Sequence, residues 1–283
     1  MPAADTLAPA GDDLDIMRSA ALEAGRIAMR YADRGDTKAW DKTPGHPVTQ
    51  ADLAVNAFLE KTLRAARPDY GWLSEETVDD SSRLAKQRIW VVDPIDGTRA
   101  FMRGDPNWCI GVAVVEDGAA VAGVVVAPQF EEVFFAYRGG GAFLNDQRIE
   151  SSGQREEPGS RLIAARGLIE HPSWREPWPK VVTPEDKPNA TLYRLALVAS
   201  GRWDGALALW RKSDWDLAAG AVLVEEAGGA ISTHRGEAYR FNRRVPAQHS
   251  LVAAGKALHP LLVRRTKAVR LPDPQGSAAA SGT

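Results

Sequence analysis

Trp90-Val91-Val92-Asp93-Pro94-Ile95-Asp96-Gly97-Thr98 is where an apolar, β-prone run gives way to two acids, a proline, a glycine and a hydroxyl. Residues 89–92 read as a buried strand. Pro94 lacks an N–H and disfavours helix at the preceding residue, which leaves Asp93 at an extended strand end. The chain must then turn. Asp96-Gly97-Thr98 has the chemistry of a turn that opens a helix: an acid to cap, a glycine for close approach and a hydroxyl beside backbone amides. Both carboxylates then flank one small space. Mg²⁺ takes oxygen ligands through one or two carboxylates plus a substrate phosphate, and the amides after Asp96 offer a phosphate cradle beside it. The same residues also fit an ordinary strand and capped turn, because Asp-Gly and Asp-Pro pairs punctuate many loops. The rest of the chain decides between the two.

A chain of 283 residues is long enough for one large domain or two smaller ones. Its 35 Lys and Arg against 37 Asp and Glu leave a net charge of −2, so no global basic field invites a nucleic acid polymer. The longest apolar runs, such as residues 121–128, are far too short to cross a membrane. Residues 1–13 carry acids and no apolar core, unlike a secretory signal, and a cytoplasmic location is expected. The single cysteine, Cys109, excludes an internal disulfide and any multi-cysteine zinc site. Set in Trp108-Cys109-Ile110-Gly111-Val112, it reads as buried packing.

Four stretches are expected: a disordered start over 1–13, an N-terminal α+β subdomain over 14–185 holding the metal and phosphate site, a C-terminal α/β subdomain over 186–270, and a disordered tail over 271–283. From Leu14, apolar residues at three- and four-residue steps predict a helix that Gly35 ends. Thr49 followed by Asp52 predicts a capped second helix, stopped by Pro68. Residues 70–73 read as a short strand running into two adjacent acids. After the central stretch, residues 108–115, 120–126 and 132–137 predict an antiparallel meander. The glycine-rich run 138–145 lacks the lysine and following helix of a phosphate loop and reads as a turn. Residues 171–188 form a loop-rich passage. A helix over 191–200, a strand over 206–210, a helix containing the small residues 218–221 with Asp216 in its first turn, strands over 230–233 and 251–254, and a helix over 256–269 complete the reading.

Taken in order and spacing, Ser74-Glu75-Glu76-Thr77, the stretch 90–98 and Trp215-Asp216-Leu217-Ala218-Ala219-Gly220 resemble the inositol monophosphatase family over roughly residues 14–269. The resemblance implies an α/β (α+β) fold, a layered α-β-α-β-α sandwich like that of inositol monophosphatase and fructose-1,6-bisphosphatase. It also implies Mg²⁺-dependent hydrolysis of a phosphate monoester of a small metabolite. By matching positions, Glu76 serves a first metal with Asp93 and the Ile95 carbonyl, and Asp93 bridges to a second metal completed by Asp96 and Asp216. Gly97 and Thr98, next to Asp96, present amides to the phosphate. The Thr98 hydroxyl, helped by Asp52, orients the attacking water, and Glu76 is counted with these two as catalytic. Two Mg²⁺ per site, a third weaker one near Glu76 and Asp52, sensitivity to Li⁺ and a homodimer are family expectations.

Physical chemistry agrees with that set. Asp52, Glu76, Asp93, Asp96 and Asp216 gathered without cations would repel one another and raise some of their own pKa values. Two Mg²⁺ about 3.5–4 Å apart stabilise both the entering and the leaving oxygen of an in-line displacement. The five histidines are scattered and none is assigned to chemistry. Specificity is less defined. Inositol-selective members carry a glutamate seven residues before the second-signature aspartate, where this chain has Leu209, which accepts no hydrogen bonds from ring hydroxyls. Arg211 and Lys212 could meet a second phosphate, as in bisphosphate nucleotidases, or be solvated surface charges. Histidinol-phosphate phosphatases share the scaffold. A catalytically silent protein that binds metal or a phosphorylated metabolite is the reading from a different class.

Overall fold

The computed structural model describes residues 10–32, 38–43, 46–186 and 188–271. Helix α1 (Ala10–Ala32), the hairpin β1 (Ala39–Thr43) and β2 (His46–Thr49), and helix α2 (Gln50–Ala66) come first. Thr49 caps α2 by accepting from the amides of Ala51 and Asp52 at 3.1 and 3.3 Å, and Asp52 reaches back to the Thr49 amide at 2.8 Å. That reciprocal capping box is the one the sequence predicts.

A seven-stranded sheet follows, with its strands in sequence order: β3 (Gly71–Ser74), β4 (Arg88–Asp96), β5 (Cys109–Glu116), β6 (Ala119–Ala127), β7 (Glu132–Tyr137), β8 (Gly141–Leu144) and β9 (Gln147–Ile149). The short helix α3 (Thr98–Met102) leads from β4 towards β5. The meander β5–β6–β7 is antiparallel as expected, turning at Asp117 and Gly118, both at positive φ. Within this sheet only β3 pairs parallel, with Ser74 opposite Val92. The glycine-rich run is indeed a hairpin turn, and its Gly139 and Gly141 amides both donate to the Glu226 carboxylate at 2.9 Å. This nest of amides therefore holds an anion supplied by the chain itself.

The remaining elements are β10 (Leu162–Ile163), α4 (Arg166–Ile169), α5 (Thr191–Ala199), β11 (Gly205–Ala208), β12 (Lys212–Ser213), α6 (Ala218–Glu226), β13 (Gly229–Ser232), β14 (Ala247–Gln248), β15 (Leu251–Gly255) and α7 (His259–Thr266). The second sheet has the order β10-β11-β15-β13, and β12 pairs with β14 alone. Side-chain alternation along the strands assigns the layers. Trp90, Val92, Ile110, Val112 and Val124 point to the α1/α2 side, among Met17, Val55 and Leu59. Ile89, Val91, Val115 and Val125 point the other way, onto Leu195, Val222 and Leu223 of α5 and α6. The far side of that helical layer meets Ala206, Ala208 and Ala253 of the second sheet. Leu207, Val252 and Ala254 on its outer face pack with α4 and α7. The result is the α-β-α-β-α sandwich. A Cβ on Gly123 would stand 2.6 Å from the Ala219 carbonyl, so the small residues expected to lay α6 tightly on the sheet do so.

Several expectations need correction. Helix α1 starts at Ala10, inside the stretch 1–13 read as disordered, because Asp13 is a buried anchor paired with Arg67 at 2.8 Å and Tyr70 at 2.8 Å. Strand β4 does not end at Asp93. It continues past Pro94 to Asp96, because a bulge between Asp93 and Asp96 absorbs the proline's missing donor. Asp216 lies ahead of α6 rather than in its first turn, and the last helix is shorter than 256–269. β10 already belongs to the second sheet, so the changeover between sheets comes before residue 185. Gly35, residues 1–9 and the tail from 272 onward lie outside the described residues.

Candidate active site

The bulge at the end of β4 builds the site. Pairing resumes only at Asp96 opposite Cys109, and the displaced residues aim Asp93 and Asp96 at the same end of the sheet. Gly97 follows at φ 95°, a conformation that favours glycine, and opens α3. The cleft at this point measures about 270 Å³ and is lined by Glu75, Asp93, Asp96 and Asp216 together with Ile95, Gly97, Thr98 and Asn189. Acids from β4, from the end of β3 and from the approach to α6 thus line one cleft.

Asp93 is the most telling of them. It is fully buried, and neither of its carboxylate oxygens accepts a hydrogen bond from any described residue. Burial, then the charges of Glu75, Asp96, Asp216 and Asp52, push its pKa well above the ordinary carboxylate range. Asp96 is better supported: its Oδ2 accepts the Leu192 amide at 2.5 Å. Burial and the Asp216 charge still raise it to about 6, against the lowering influence of that amide and of Lys212. Among the described residues no group of three or more Asp, Glu, His or Cys side chains is gathered closely enough to hold a metal ion as it stands.

Asp52 stands at the edge of the cleft, on the first turn of α2. Its Oδ2 is held by the Thr49 amide and hydroxyl, at 2.8 and 2.5 Å. The Thr98 hydroxyl lies 3.2 Å from Asp52 Oδ1 and 3.1 Å from the Ile95 carbonyl oxygen. Burial raises Asp52 to about 6 despite those donors, with Glu76 adding to the rise. Glu76 therefore neighbours Asp52, whereas the acid of the Glu75-Glu76 pair that lines the cleft with Asp93 is Glu75.

The three residues read as specificity candidates are scattered. Leu209 lines a separate, largely apolar cavity with Leu168, Trp174 and Val269. Arg211 is exposed. Lys212 is buried, donating to Thr191 Oγ1 at 2.6 Å and standing 4.0 Å from Asp216 Oδ2. Asp216 Oδ2 also accepts the Ser213 amide at 2.9 Å. Cys109, opposite Asp96, is an inert buried thiol whose pKa burial and the Asp96 and Asp93 charges push well up.

One contributor carries no sequence signal. Arg194 on α5 is buried and donates to the carbonyls of Pro188 and Asn189 at 2.6 and 2.9 Å. It pins the segment that places Asn189 in the cleft and the Leu192 amide on Asp96. An arginine amid helix-spaced leucines reads as a solvated position, and only the tertiary structure shows otherwise.

The sequence profile of the inositol monophosphatase family matches residues 12–271. An inositol-1-monophosphatase of Mesorhizobium japonicum is 33% identical, aligned over 77% of this chain and 84% of its own length. A histidinol-phosphatase of Chlorobaculum parvum is 32% identical over 79% and 86%. The crystal structure of the extragenic suppressor protein SuhB from Bartonella henselae superposes with a TM-score of 0.74 at 31% identity, covering 89% of this chain and 97% of that one.

Proposed function

This chain belongs to the inositol monophosphatase family, and on that premise we propose that it hydrolyses the phosphate monoester of a small metabolite with the help of divalent cations, Mg²⁺ foremost. The observation that carries the reading is Asp93: a fully buried carboxylate with two unpartnered oxygens, set among four other acids. Left bare, such a group costs several kcal/mol, on the order of any buried unpaired charge, and hard cations with oxygen ligands are what this donor set suits.

Asp93 would help to hold the ions, with Glu75 and the Ile95 carbonyl for one and Asp96 and Asp216 for another. Glu75 takes the place that family resemblance gave to Glu76, because Glu75 is the acid in the cleft. Glu76 and Asp52 would attract a weaker third ion. When bound, the ions supply positive charge to the phosphoryl oxygens and to the leaving group. The chain's own residues do the remainder. The amides of Gly97 and Thr98 receive phosphate oxygens at the mouth of α3. Thr98 Oγ1 orients the attacking water by accepting its proton as its own passes to Asp52 Oδ1. Asp52, raised to about 6 and fixed by Thr49, is suited to take that proton near neutral pH.

The substrate class in this reading is the phosphate monoester of a small metabolite, and neither Leu209 nor Arg211 narrows it. Leu209 offers no acceptor to a polyol and faces another cavity, and Arg211 is exposed. The test is phosphate release from inositol 1-phosphate, a 3′,5′-bisphosphonucleoside, histidinol phosphate and sugar phosphates, ranked by kcat/KM with Mg²⁺ and with chelator. Turnover of at least one, abolished by chelation, is expected. Turnover that ignores chelation defeats the metal mechanism, and Mg²⁺ binding without any turnover favours the silent member of the family.

A further inference from the structure

We infer that Lys212 is a resident counter-ion on the Asp216 side of the cleft, which holds Asp216 and Asp96 in place and keeps the second divalent cation loosely bound and exchangeable. The inference rests on the metal-dependent reading above. Lysine ordinarily extends its ammonium into water, yet here the side chain is 10% exposed. Strand pairing puts it there: Lys212 lies opposite Gln248 in the β12–β14 ladder. Its Nζ donates to Thr191 Oγ1 at 2.6 Å, stands 4.0 Å from Asp216 Oδ2 and lies 5.7 Å from the Trp210 ring centre.

Those contacts join the two acids. Thr191 begins α5, and the next amide, of Leu192, is the donor to Asp96 Oδ2. The ammonium thus touches the segment that fixes Asp96 and faces Asp216 directly. Asp216 Oδ2 is further fixed by the Ser213 amide, the residue after Lys212. A divalent ion drawn to Asp96 and Asp216 meets a positive charge already 4.0 Å from Asp216 and hydrogen-bonded to the residue before the amide that holds Asp96. At an effective dielectric of about 20, that repulsion across a few ångströms amounts to a tenfold or larger rise in the dissociation constant.

Lys212 acts through the carboxylates and is a positioning residue, and the direction of its effect separates this role from a merely structural one. Loosening the site by mutation weakens metal binding, whereas removing a competing charge tightens it. The experiment is calorimetric titration of the chelator-stripped full chain with MgCl₂, without substrate, for wild type, Lys212→Met, Lys212→Gln and Lys212→Arg. The two neutral variants should bind the weaker Mg²⁺ about tenfold tighter or more, with Lys212→Arg within about twofold of wild type. Two different neutral side chains guard against a folding failure in either one. Unchanged or weaker Mg²⁺ binding in the neutral variants overturns the inference, as does a rise in KM for substrate with Mg²⁺ binding unaltered, which would make Lys212 a substrate contact. A wild-type protein that takes up no Mg²⁺ sinks both this inference and the metal-dependent reading, whereas wild-type binding with indifferent variants sinks this inference alone.

Discussion

Asp93→Asn should stabilise the metal-free protein while abolishing its catalysis, an outcome that separates a functional acid from a structural one. In the fold without cations, burial and four neighbouring acids raise Asp93 well above its ordinary value of 3.8, so the native state holds a proton that the unfolded chain releases. Stability from this group is fully present below 3.8 and falls as pH rises. At about pH 7 the loss is bounded by the distance from 3.8, about 3 units or about 4 kcal/mol at 1.36 kcal/mol per unit. Asparagine removes that loss but leaves a buried amide short of partners, costing about 1–3 kcal/mol. The net gain is therefore at most about 3 kcal/mol, or at most about 6 °C in Tm at about 2 °C per kcal/mol for a chain of this size. The assay is thermal unfolding in chelator at pH 4 and pH 7, repeated with Mg²⁺. The variant should melt above wild type at pH 7, fall below it at pH 4 where only the amide's cost of about 1–3 kcal/mol remains, and fail to gain the roughly 2.7 kcal/mol that ligand at a hundredfold its Kd confers. A variant melting below wild type in chelator at pH 7, or still stabilised by Mg²⁺ to the wild-type extent, refutes the reasoning.

Other perturbations follow from the same geometry. Asp52 and Asp96, each raised to about 6, also bind protons more tightly when folded, so their contribution is lost as pH climbs from 4 towards 6. Chelated wild type should therefore lose stability relative to Asp96→Asn across that window, and thermal melts at half-unit pH steps would show it. Glu75→Gln should weaken Mg²⁺ activation of phosphate release by about a hundredfold, well beyond the effect of Glu76→Gln; equal effects would return Glu76 to the first metal. Arg194→Met leaves the buried Pro188 carbonyl without its donor, at about 1–3 kcal/mol, removes the donor to the half-buried Asn189 carbonyl, and should lower kcat/KM at least about tenfold by freeing Asn189. Gly123→Ala, forced against the Ala219 carbonyl, should cost about 1–3 kcal/mol in denaturant melts without moving KM.

What the sequence discloses is local, and what it conceals depends on long-range pairing. The run from Asp93 to Thr98 announces a strand, a turn and a helix start because proline, glycine and a capping hydroxyl act on their immediate neighbours. Thr49 and Asp52 announce their capping box for the same reason. The choice between Glu75 and Glu76 is different. Adjacent residues at a strand end face opposite ways, and which one meets Asp93 is set by the parallel register of β3 on β4, with Ser74 opposite Val92. Nothing within residues 70–77 fixes that register. Leu209 illustrates the same point, since alternation from Leu207 on the outer face of β11 carries it away from the cleft. Lys212 and Arg194 look like surface charges until tertiary contacts bury them. The α1 start was missed because Asp13 is anchored by Arg67, a partner more than fifty residues away.

The most direct trial of the whole account is a crystal of this chain soaked in Mn²⁺ and inorganic phosphate, with anomalous difference density collected at the manganese edge. Two strong peaks are expected, both touching Asp93, one shared with Glu75 and the Ile95 carbonyl and the other with Asp96 and Asp216. Manganese density absent from Asp93, or confined to exposed carboxylates elsewhere, would contradict it.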